Sequence, residues 1–247
     1  MKKTEKSYWD SNYETKNTKP KEVPKDHPIR KWISSHLVSV DNKNCIEIGC
    51  YPGRFLTMFG ELGYELNGID YTERVDQVPT WLKSEGYKVG EFYYEDFFKW
   101  NSSKQYDLVY SLGFIEHFTE FKDVIKSHCD MVANNGYLIL EVPNFIGRFQ
   151  FWIHSKFDKE NLNRHHVPAM DISDWLPVLE ENGFEIIDSR YFGSFHFWVE
   201  HEERSFFQRG CLKIIRTLKP LLAKILPDDR KAYSPFCGVI AKRRYLE

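Results

Sequence analysis

From residue 44 onward the chain alternates two kinds of apolar pattern. Short apolar-rich runs read as strands: NCIEIG (44–49), YELNGIDY (64–71), YKVGEFYYED (87–96), YDLVYSL (106–112), YLILEVPN (137–144) and FEIIDSRYFG (184–193). Between them lie stretches with helical spacing. RFLTMFGELG (54–63) is stopped by Gly63, VPTWLKSEG (78–86) is closed by Gly86, and FTEFKDVIKSHCDMVANNG (118–136) ends on Asn-Asn-Gly. DISDWLPVLEENG (171–183) precedes the sixth strand, and PIRKWISSHLV (28–38) predicts a helix with Pro28 near its first turn. A last strand, FCGVIAKR (236–243), lies near the C-terminus. This alternation predicts an α/β fold with a mostly parallel, doubly wound sheet and right-handed crossovers.

The first 28 residues are polar and end in the proline-punctuated KPKEVPKDHP, a linker by composition. Roughly forty residues, 193–235, separate the sixth strand from the last, far more than an ordinary connection needs. The expected organisation is therefore an N-terminal segment (1–28), a core domain (29–192 and 236–247) and an inserted segment (193–235).

Composition changes this picture little. The hydrophobic fraction of 42% and charged fraction of 28% suit a water-soluble domain, and a formal charge of −2 argues against a general nucleic-acid binder. Five scattered cysteines without a C-x-x-C pair fit a reducing compartment and no zinc framework. The N-terminus has no apolar signal region, and no apolar run approaches a membrane span, so a cytoplasmic location is expected.

Candidate chemistry starts at CIEIGCYPGRF (45–55), where a strand feeds a glycine turn into a helix. A phosphate-binding loop would need Gly-Lys-Ser or Gly-Lys-Thr, which is absent; a dinucleotide turn counted from Gly49 would put Tyr51 and Arg54 where glycines belong. Glu47-Ile48-Gly49-Cys50-Tyr51-Pro52-Gly53 instead keeps the acid, the first glycine and the last glycine of an E/D-x-G-x-G-x-G turn. In these residues the chain resembles the class I S-adenosylmethionine-dependent methyltransferases, with Tyr51 as the departure.

Three further segments carry the resemblance in order: Asp70-Tyr71 closing the second strand, Asp96-Phe97 after the third, and YDLVYSLGFIEHF with Ser111, Leu112, Glu116 and His117. The resemblance implies a Rossmann-like sheet with a reversed last strand. It implies S-adenosylmethionine as cofactor, held by Glu47, Gly49, Cys50, Tyr51, Gly53, Asp70, Tyr71, Asp96, Phe97, Ser111, Leu112 and His117. In this reading Asp70 takes the ribose hydroxyls, Asp96 the adenine amino group, and Tyr8, Trp9 and Tyr13 of YWDSNY form an aromatic lid. S-adenosylhomocysteine would be the product.

The loop after the fifth strand supplies His154, His165 and His166, and a histidine suits removal of a hydroxyl proton. His166, ahead of His165, is the expected base; nothing in the spacing asks for a metal. The expected acceptor is a small molecule, a sugar or other hydroxyl-bearing metabolite. Amine or carbon acceptors, a non-catalytic cofactor-binding module and a nicotinamide enzyme remain alternatives. In the insert, 210–226 is a basic amphipathic run interrupted by Pro220. Capping the acceptor pocket is its expected role, ahead of a homodimer contact or a peripheral membrane contact.

Overall fold

The computed structural model describes residues 4–100, 103–200 and 203–244. Parts of the expected segments, residues 1–3, 101–102, 201–202 and 245–247, lie outside the described residues.

Seven strands form one sheet: β1 (Asn44–Ile48), β2 (Glu65–Asp70), β3 (Val89–Tyr94), β4 (Tyr106–Leu112), β5 (Val132–Pro143), β6 (Phe184–Phe192) and β7 (Phe236–Arg243). Their order is β3-β2-β1-β4-β5-β7-β6. β1 through β5 pair in parallel, and β7 runs antiparallel to both β5 and β6. The reversed last strand is thus present. Its residues Cys237 to Ala241 are buried, which explains a nearly continuous apolar run rather than an alternating one.

The strands' two faces bury separate clusters. One packs Ile46, Ile48, Val109, Leu138 and Leu140 under α5 (Phe121–Asp130) and α8 (Trp175–Glu181). The other packs Cys45, Leu66, Leu108, Tyr110 and Ile139 under α2 (Pro28–Ser34), α3 (Leu56–Glu61) and α4 (Gln77–Ser84).

Four elements differ from the pattern expected of the sequence. The N-terminal segment contains a helix, α1 (Lys6–Thr15), ahead of its linker. α5 stops at Asp130, because Val132 is fully buried and already pairs with Tyr106; the ANNG stretch is an irregularity inside β5, with Asn135 at φ 61. The loop after β5 contains α6 (Arg148–Phe157) and α7 (Lys159–Asn163). In the insert, α9 (Phe206–Ile225) runs through Pro220 as a single helix, started by a Ser205/Gln208 capping box. Leu212 of α9 and Ile153 and Phe157 of α6 close a third, smaller apolar cluster with Phe195 and Phe197.

Candidate functional site

The site lies beyond the carboxyl ends of β1, β2, β4 and β5, where an open parallel sheet leaves a crevice. Gly49 ends β1 with φ +74, and a Cβ there would come within 2.8 Å of the Phe114 ring. Glycine is therefore required both by backbone conformation and by space. The amides of Gly49 and Cys50 both donate to the Ile69 carbonyl, which ties the turn to β2.

Tyr51, the misfit in the glycine turn, has its ring edge-on to Tyr13 at 4.8 Å and donates its hydroxyl to the Thr18 carbonyl. Its backbone amide donates to Asp70 Oδ2 at 2.9 Å, and Thr72 N–H donates to Asp70 Oδ1 at 3.1 Å. Burial raises the Asp70 carboxyl to about 6, against the pull of these backbone donors.

The first cavity, of ≈ 850 Å³ including its open mouth, is lined by Gly49, Tyr51, Asp70, Tyr71, Asp96, Phe97, Leu112 and His117. Trp9 and Tyr13 of α1 cover it, with Trp9 edge-on to His117 at 5.2 Å. Glu47, Cys50, Gly53 and Ser111 line neither this cavity nor its neighbour. Glu47 is buried on β1 and accepts from the Tyr110 hydroxyl at 3.2 Å, and burial pushes its carboxyl well up. Cys50 Sγ lies under Gly68, 2.6 Å from where a Cβ would stand. These residues shape the turn from behind.

A second cavity adjoins the first and shares Trp9, Leu112, Gly113 and His117 with it. Its far walls are Tyr8, Arg54, Phe145, Arg164, Trp198 and Glu200; its inner wall carries Glu116, Glu141 and His165. Glu116 Oε2 and Glu141 Oε1 are buried with no hydrogen-bond partner. Burial raises Glu116 to about 8, and burial together with the Glu116 charge pushes Glu141 well up. Burial lowers His117 to about 3 and His165 to about 4, so both imidazoles are neutral. The 3.9 Å approach of His117 Nε2 to Glu116 Oε1 is thus not an ion pair.

The histidines expected near the acceptor separate. His165 lines the second cavity, its ring centroid 4.7 Å from that of His117. His166 lines neither cavity; its amide donates to the Glu116 carbonyl and its ring lies 6.0 Å from Phe121. His154 is fully buried, with Nδ1 2.7 Å from Asp158 Oδ2, and Asp158 also accepts from Asn161 Nδ2 and the Glu200 amide. This knot joins α6, α7 and the insert, and so positions the Arg164-His165 segment. Glu141 was not singled out from the sequence, and Arg54 entered only as a departure from the dinucleotide turn. A glutamate inside the apolar run LILEVP was the available signal for Glu141.

A family model described as a methyltransferase domain matches residues 26–189. The chain belongs to the class I S-adenosylmethionine-dependent methyltransferases. Within this methyltransferase family, a ubiquinone biosynthesis O-methyltransferase of Rickettsia felis is 26% identical over 124 residues, 48% of this chain and 50% of that protein. The chain thus spans about half the length of the curated relatives it matches. An S-adenosylmethionine-dependent methyltransferase of Mesorhizobium loti superposes with TM-score 0.56 at 15% identity, over 87% of this chain and 98% of that one. The magnesium protoporphyrin IX methyltransferase of Synechocystis PCC 6803, with bound S-adenosylhomocysteine, gives TM-score 0.53 at 16% identity, over 87% and 80%. At these identities the two structures share the methyltransferase fold alone. The family's methyl donor is S-adenosylmethionine.

Proposed function

We propose that the protein transfers the methyl group of S-adenosylmethionine to a hydroxyl of a small ring-bearing molecule held in the second cavity. The observation that carries this reading is the meeting of the two cavities at Leu112 and Gly113. One cavity has the glycine turn, two acids and an aromatic ring suited to a nucleoside; the other has aromatic walls, buried carboxylates and an imidazole.

Asp70 would accept the ribose hydroxyls through the lone pairs its backbone donors leave, while Asp96 and Phe97 would hold the adenine. The backbone around Gly49 would face the methionine part. When bound, the cofactor supplies an activated methyl group on a sulfonium. The residues Leu112, Gly113 and Trp9 then fix the line of approach, where orientation is worth effective molarities of about 10⁵–10⁸ M. His165, which lines this cavity and whose Nδ1 is taken by the Asn161 carbonyl, would receive the hydroxyl proton on Nε2; His166 lines neither cavity. Tyr8, Phe145 and Trp198 suit the faces of a sugar or a flat ring, and His196, Trp198 and Glu200 support a capping role for the first part of 193–235, whereas 210–226 lines neither cavity.

Calorimetric titration with S-adenosylhomocysteine tests the cofactor half, with NAD as control. Micromolar binding that Asp70→Ala weakens at least tenfold is expected. No binding of the homocysteine compound would sink the reading. Release of S-adenosylhomocysteine with a panel of sugars and phenols then tests the acceptor half, and turnover only with amines would overturn O-methylation.

A further inference from the structure

We propose that Glu116, His117 and His165 form a site for one divalent metal ion of the zinc or cobalt type on the inner wall of the second cavity. Their ligating atoms already lie within 4.8 Å of one another. Ligands around zinc are spaced by about 3.4 Å when metal–ligand bonds are about 2.1 Å. Small side-chain rotations therefore separate the present arrangement from a closed site.

The donor set is prepared from behind. His165 Nδ1 donates to the Asn161 carbonyl at 2.6 Å. His117 Nδ1 donates to the Arg164 carbonyl at 3.2 Å and to Thr4 Oγ at 3.1 Å, the Thr4 hydroxyl itself donating to Arg164. A carbonyl only accepts, so in both rings the proton sits on Nδ1 and Nε2 presents a bare lone pair. Metal-bound histidines are oriented in this way, by an outer hydrogen bond to a carbonyl or carboxylate.

The third donor is Glu116, 1% exposed, whose Oε2 has no partner. Its Oε1 faces His117 Nε2 at 3.9 Å, too far for a hydrogen bond. A bare imidazole nitrogen thus faces a buried carboxyl group with no hydrogen bond joining them, an arrangement a cation resolves by displacing whatever proton the carboxyl carries. Glu141 Oε1, also buried without a partner, adds a second acid to the same wall. Two imidazoles favour a borderline transition metal over magnesium or calcium, which prefer all-oxygen sites.

Binding of the ion stands on these donors alone. Its use rests on the methyl-transfer reading: the side toward the cavity would be left for the acceptor oxygen. Coordination there would ease loss of the hydroxyl proton; with the ion bound His165 would be a ligand in place of the base, and the unpartnered Glu141 carboxylate on the same wall would take the proton.

The test is titration of the chelator-stripped protein with cobalt(II), followed by visible absorption, and with zinc(II) in competition. One equivalent should give d–d bands of a nitrogen/oxygen site, displaced by zinc. His165→Ala and Glu116→Gln should each weaken binding at least a hundredfold, while His166→Ala leaves it unchanged. Zinc X-ray absorption on the wild-type protein keeps the test independent of variant folding: a shell of nitrogen and oxygen with imidazole scattering is expected. No binding, a sulfur shell, or affinity equal in the variants would overturn the site. Metal binding without S-adenosylhomocysteine binding would retain the site and sink methyl transfer; the converse would do the opposite.

Discussion

Asp70 is a carboxylate whose proton uptake falls in an ordinary laboratory pH range. Its carboxyl is held at about 6, above its ordinary 3.8, chiefly by burial. A ribose hydroxyl is best accepted by the ionised form, so affinity for S-adenosylhomocysteine should fall as pH drops through about 6. The same shift makes Asp70's contribution to folding fully present below 3.8 and lost as pH rises through about 6. Calorimetry at pH 5 and pH 8 checks the first point, and Asp70→Asn should flatten the difference. The two adjacent histidines should also separate. His165→Gln is expected to lower turnover by about 10²–10⁴-fold, the range of a lost proton acceptor or activating ligand, whereas His166→Gln stays near wild type. Equal losses in single-turnover assays would contradict the proposed role of His165, which of the two lines the second cavity. The sequence pointed to the His-His pair and to Glu116-His117, but which imidazole faces inward depends on the turn after α7. That turn is set by Asp158 and Asn161 together with Glu200, some forty residues later, and no local pattern shows it.

At the scale of elements, the strand–helix alternation was legible because the central strands β1, β2 and β4 are nearly all buried and α3, α4 and α8 each end beside a glycine. Gly63 shows why: at φ +97, a Cβ there would meet the Val40 carbonyl oxygen at 2.2 Å. Gly63→Ala should cost at least about 2 kcal/mol in denaturant unfolding, combining left-handed strain with a clash against backbone. A loss under half that would mean the α3–β2 turn can rearrange. α6 was not legible. Phe149, Phe151, Trp152, Ile153 and Phe157 are weak helix formers, and their helix is fixed by packing on Phe195 and Phe197 some forty residues later. The early end of α5 was hidden too, since Asn-Asn-Gly serves a strand irregularity as well as a helix stop.

For the whole molecule, the insert divides its apolar residues between two surroundings. Leu212 of α9 is 3% exposed in the small cluster, while Ile214 (62%), Leu218 (45%), Leu221 (55%) and Ile225 (63%) face outward. Leu212→Ala should therefore cost about 2–5 kcal/mol, and Leu218→Ser less than about 0.5 kcal/mol, in chemical denaturation of the whole chain. Similar losses would mean that the outward stripe packs against part of this chain. No helix among the described residues is long and apolar enough to cross a membrane.

Helix α1 reaches both halves of the crevice: Tyr8 lines one cavity, Tyr13 the other, and Trp9 both. None of its residues is buried, and it is pinned by ring contacts and a few hydrogen bonds such as Thr72 Oγ to Asp10. One loosely held door thus serves two rooms. Swinging it open to admit one reactant unroofs the other, and shutting it seals both at once. The traffic of reactants is then expected to follow a fixed queue, with the nucleoside, deeper against the sheet, first in and last out. Product-inhibition kinetics would show this as competition between S-adenosylhomocysteine and the methyl donor alone.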